Sequence, residues 1–95
     1  MSYDHDEIAD SLAKRFRAKH REKGVDIVSK DRAIEVAVTE NDLRQSIGQL
    51  NRSRAEKKYM AVPPPLYDKA ENLLKGTGIG IMNTRGDIRK RSKRK

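Results

Sequence analysis

Cysteine and tryptophan are absent from this chain of 95 residues, and phenylalanine occurs once. Without cysteine there can be no disulfide, no zinc–thiolate site and no thiol nucleophile. Aromatics are too sparse for a base-stacking platform, because Phe16 falls on an apolar helix stripe and Tyr3, Tyr59 and Tyr67 are scattered. No apolar run approaches the roughly 20 residues of a membrane span. The opening "MSYDHDEIAD" lacks the basic start and apolar stretch of a signal peptide. These absences predict a cytoplasmic chain with no membrane partner. The two histidines, His5 and His20, have no partner at metal-ligand spacing and read as surface residues. The glycines of "GTGIG" (76–80) lack the Lys-Ser/Thr of a phosphate loop and fall between a helix and a strand, so they read as a helix stop and turn. No small-molecule cofactor is expected.

What the chain has in abundance is charge. Charged residues make up 38% and hydrophobic ones 35%, and the formal net charge is +8. The last eleven residues, "RGDIRKRSKRK", hold seven basic residues and one acid, which is six of those eight charges. The rest of the chain is close to neutral, so the expected organisation is a domain over 1–84 and a basic, disordered tail over 85–95. A core this small is marginal, which predicts a homodimer.

Apolar periodicity sets the element order. Ile8, Leu12 and Phe16, with Ala9 and Ala13, recur at helical spacing within 4–23. Acids crowd the start of that segment and bases its end, as the helix dipole favours, and Gly24 suits a stop. In "VDIVSKDRAIEVAV" (25–38) the period changes to two: Val25, Ile27, Ile34, Val36 and Val38 share one face, as in a β-hairpin. Helical spacing returns with Leu43, Ile47 and Leu50, for which Asn41 is a suitable N-cap. "YMAV" (59–62) reads as a strand ended by "PPP" (63–65), which suits the first turn of the next helix. That helix buries Leu66, Ala70, Leu73 and Leu74 and stops at Gly76; "IGIMN" (79–83) is a last strand. The predicted fold is α/β, in the order α-β-β-α-β-α-β, with a mixed four-stranded sheet and flanking helices.

Two strand positions are acidic. With an even-length hairpin loop, paired residue numbers sum to 61, so Asp26 faces Glu35 on the side away from the apolar stripe. Cross-strand Cβ atoms lie ~5 Å apart and like charges there destabilise the pair. Two such carboxylates suit a hard divalent cation, which takes a few carboxylate oxygens and keeps waters. The plainer alternative is a half-exposed sheet whose outward residues happen to be acidic; aspartate, however, is depleted in strands.

A helix, an aspartate strand, a Glu-x-x strand, "NDLRQSIGQL", "YMAVPPPL" and "GIGIMN" follow one another in an order that resembles the PD-(D/E)XK, or restriction-endonuclease-like, nucleases over about residues 7–83. The resemblance is to small resolvase-like and DNA-repair-like members. It implies a DNA endonuclease using Mg²⁺ or Mn²⁺ to hydrolyse phosphodiesters in duplex or branched DNA. Asp26 and Glu35 would hold the metal, with the Val36 carbonyl as a third donor. Gln49 and Glu7 fall where some members carry a further polar or acidic group. The family's lysine corresponds to Ala37, a departure that leaves three explanations open: a chain that only binds, a basic group supplied from elsewhere (Lys30, Arg44 or Lys58), or an engineered alanine. DNA contacts would come from Arg85, Arg89, Lys90, Arg91, Lys93, Arg94 and Lys95, and from Lys14 and Arg17 on the first helix. The alternative is a non-catalytic DNA- or RNA-binding protein on the same fold.

Overall fold

The apolar stripe of the first helix runs out at Phe16, and so does the helix. In a computed structural model, which describes residues 4–16, 19–20, 27–28, 31–53 and 55–92, α1 spans His5–Arg15. Asp4 caps it by accepting from the Glu7 N–H, and Ile8, Ala9, Leu12 and Ala13 form its buried face. The expected continuation of this helix to residue 23 is corrected: Lys19–His20 is strand β1, paired antiparallel with β2 (Ile27–Val28). The sequence after Phe16, "RAKHREK", offers little apolar surface with which tertiary packing could hold a longer helix.

The hairpin keeps its expected register. Ile27 pairs with Ile34 and Val28 with Ala33, so the described partners between β2 and β3 (Arg32–Val36) sum to 61. From β3 the chain crosses through α2 (Glu40–Arg52) to β4 (Lys57–Ala61), which lies parallel to β3. The N-cap of α2 is Thr39, not Asn41. Thr39 and Asp42 form a reciprocal capping box that satisfies two backbone N–H groups at once, which Asn41, already inside the helix, cannot do. A second crossover, through a 3-10 turn (Pro64–Leu66) and α3 (Tyr67–Leu74), leads to β5 (Gly80–Met82), parallel to β4. Gly76, at φ +77°, takes the left-handed position that ends this helix. Leu73, expected in the core, is exposed, whereas Ala70 and Leu74 are buried.

The tail supplies the largest correction. Ile88–Lys90 is strand β6, antiparallel to β5. The chain reaches it through Asn83–Asp87, where the Asn83 side chain accepts from the Arg85 and Asp87 N–H groups and Gly86 sits at φ +93°. Ile88–Lys90 is therefore part of the sheet, and Ser92 beyond it accepts from the Lys58 N–H; Lys93, Arg94 and Lys95 lie outside the described residues. Among the described residues the mixed sheet has six strands, in the order β1-β2-β3-β4-β5-β6, in place of the expected four.

Both faces of this sheet are covered. Ile27, Ile34, Val36, Tyr59, Ala61 and Met82 pack with α1 in one core. Ala33, Ala37, Met60, Val62 and Ile81 pack with Leu43 and Leu50 of α2 and with Ala70 and Leu74 of α3 in a second. Strands buried on both sides are the usual consequence of parallel crossovers.

Candidate functional site

Alternation along β3 assigns its side chains to opposite cores: Ile34 and Val36 go to the α1 side, and Ala33 and Ala37 to the α2 and α3 side. Glu35 shares the face of the two alanines. It points away from the apolar stripe, as expected, but the half-exposed sheet of the plainer alternative does not hold there: α2 covers that face and leaves Glu35 only 5% exposed. A carboxylate is costly in such a place unless it is hydrogen-bonded or paired. The Ser46 hydroxyl, on the buried side of α2, donates to Glu35 Oε2 at 3.4 Å. Ser46 was missed in the sequence, although a serine between Leu43 and Leu50 on an otherwise apolar stripe is a readable signal.

Gln49, half-buried, stands three residues beyond Ser46, on the adjoining part of the α2 surface. Ala37 is fully buried, and its N–H donates to the Ala61 carbonyl at 3.0 Å. The position that the resemblance gives to a lysine is thus filled by a methyl group inside the second core. Val36 turns its side chain to the first core. Glu7 is exposed in the first turn of α1. Asp26, the expected partner of Glu35, and Lys30 lie outside the described residues.

Of the described basic groups that could replace a lysine at position 37, Arg44 and Lys58, the second is the better placed. It pairs with Ala33 on the adjacent parallel strand, two residues before Met60, the partner of Glu35. Paired residues of neighbouring strands share a face, so Lys58 belongs to the Glu35 side of the sheet and is half-buried there. Arg44 is exposed on α2.

The expected nucleic-acid contacts are dispersed. Lys14, in the last turn of α1, is exposed. Arg85 is exposed in the β5–β6 turn, where its carbonyl accepts from the Arg15 guanidinium. Arg15 also forms an ion pair with Asp87 at 3.0 Å. The Asn83 amide, followed by Arg15, holds the Asp87 carboxyl below the ordinary aspartate value. Arg89 lies over the Tyr67 ring at 4.3 Å, while Arg91 is exposed and Lys90 half-buried. Arg17 lies outside the described residues.

Magnesium and manganese favour several hard oxygen donors. Among the described residues no group of three His, Cys, Asp or Glu could hold a metal ion. Glu35 and Ser46 supply one carboxylate and one hydroxyl, so the described residues alone do not make the expected donor set. Among the described residues no helix is long and apolar enough to cross a membrane. Comparison with protein-family models, curated proteins and solved structures finds no match for the chain. The resemblance therefore rests on the residues and their order, and the class established by the fold is a mixed α/β domain.

Proposed function

We propose that this chain is a DNA-acting domain of the restriction-endonuclease-like kind, whose chemistry is metal-dependent phosphodiester hydrolysis of duplex or branched DNA. One observation carries the reading. An acid has been placed on the central strand β3, at 5% exposure, where an apolar residue would pack at no desolvation cost. Supporting it, the hairpin register of 61 is the one on which the facing of Asp26 and Glu35 depends. The hairpin is followed by a helix and a further strand, in the order expected from the apolar pattern. In this reading Ser46 fixes one oxygen of Glu35, and Lys58 supplies the positive charge that Ala37 does not.

The second reading is a nucleic-acid-binding protein without hydrolysis. The complete burial of Ala37 and the shortage of donors among the described residues favour it. Labelled duplex, branched and single-stranded DNA, with and without Mg²⁺, separate the two. If the chain cuts, Glu35→Gln abolishes cutting and Lys58→Gln slows it at least tenfold. If only Ala37→Lys cuts, and its Glu35→Gln derivative does not, the site is real and the alanine disarms it. Should neither form cut while both bind, the binding reading stands.

A further inference from the structure

The crossovers bring together residues that are far apart in sequence. Helices α2 and α3 run back against the parallel strands, so their C-termini arrive at the N-terminal ends of β4 and β5. Strand β6 is antiparallel to β5, so its C-terminal end arrives at the same edge. Ser92 ties this convergence together: its hydroxyl accepts from the Lys58 N–H and donates to the Gly78 carbonyl, both at 3.2 Å. The approach is close enough that a Cβ on Gly80 would lie 2.6 Å from the Lys90 carbonyl and from the Ser92 nitrogen.

This end of the sheet is strongly basic. Arg52 closes α2, Lys75 follows α3, Lys57 and Lys58 open β4, Lys90 ends β6 and Arg91 follows it. Among the described residues, the acids at the same end are Asp31, which reaches the Lys57 ammonium at 4.0 Å, and Glu56. At the opposite end the first turns of α2 and α3 and the β5–β6 turn carry Glu40, Asp42, Asp68 and Asp87. Helix dipoles account for cations at Arg52 and Lys75. They do not account for the three on the strands beside them, or for Arg91 just beyond. Strands β4 and β6 are two strand spacings apart, roughly 10 Å, and a duplex presents several phosphates over that distance.

The geometry points to this basic pole as a docking surface for the sugar-phosphate backbone of nucleic acid, with Lys57 and Lys75 as contacts outside the C-terminal segment. This deepens the DNA-acting reading and rests on it. Backbone phosphates are read by charge alone, so binding here is independent of base sequence and weakens with salt.

The test uses the full chain and a labelled DNA duplex, with affinity measured by fluorescence anisotropy between about 50 and 200 mM salt. Lys57→Gln/Lys75→Gln is compared with Arg44→Gln/Lys69→Gln, which removes two exposed charges from the other halves of α2 and α3. Melting curves check that both variants stay folded. The expected result is about a tenfold loss of affinity near 100 mM salt for the first pair, with a salt slope shallower by about 2, and a change under about threefold for the second. Equal losses in both pairs would mean that net charge alone governs binding, and the pole would be discarded. If wild type binds and Lys57→Gln/Lys75→Gln binds as tightly, the surface is wrong while the DNA-acting reading survives. If wild type binds no DNA even at low salt, both fall together.

Discussion

The two faces of the sheet are built to different rules. Under α1, Ile27, Ile34, Val36, Ala61 and Met82 meet Ile8, Ala9 and Leu12 in a core of aliphatic and aromatic side chains. Under α2 and α3 the same strands meet a comparable apolar set, but Glu35 and Ser46 are buried among them. Burial of apolar area suffices to explain the first face. The second holds a carboxylate, whose burial carries a desolvation cost, and it does so one residue along the same strand. Adjacent residues of β3 therefore report different demands on the sequence.

Substitutions at those adjacent positions put the contrast to the test. Ile34→Ala removes a side chain that is 1% exposed and should cost about 2–5 kcal/mol in chemical denaturation. Glu35→Met, of similar volume, removes the desolvation penalty of the carboxylate but strands the Ser46 hydroxyl, so its net cost should stay below about 2 kcal/mol. A loss above about 2 kcal/mol in Glu35→Met would make Glu35 a structural acid and erase the difference between the faces. Ser46→Ala sharpens the same point: it should cost about 1 kcal/mol in wild type and nothing in the Glu35→Met background, as a double-mutant cycle would show.

The smallest expected effect concerns the latch that joins α1 to the β5–β6 turn. The folded Asp87 carboxyl is held below its ordinary value of 3.8 by the Asn83 amide and by Arg15. A depressed folded pKa contributes stability that is present above the unfolded value and lost as pH falls through the lower folded one. Asp87→Asn should therefore melt slightly below wild type at neutral pH, and the gap should close as pH is lowered through and below 3.8. A gap that persists unchanged in acid would assign the effect to the turn backbone and not to the charge.

Much of the framework follows from local pattern. Period-two spacing in 25–38 predicts the hairpin, and its pairing sum of 61 recurs in Ile27–Ile34 and Val28–Ala33. The run "PPP" and Gly76 bracket the last helix because each fixes or permits a particular φ. The errors share a cause. A two-residue β1 and a three-residue β6 are too short and too basic to show a period, and only pairing with β2 and β5 makes them strands. Asn41 is as good an N-cap as Thr39 by residue type, but the reciprocal bond from Asp42 decides for Thr39.

The sequence by itself determined the three main helices, the four strands with an apolar pattern, the register of the central hairpin and the presence of an acid on β3, because these depend on contacts only a few residues apart. The tertiary structure decided what surrounds that acid. Whether Glu35 faces water or a helix depends on where α2 packs after its crossover, and Ser46, Lys58 and the basic pole are placed by the same crossovers. Those placements join residues tens of positions apart through sheet geometry, which no local period records.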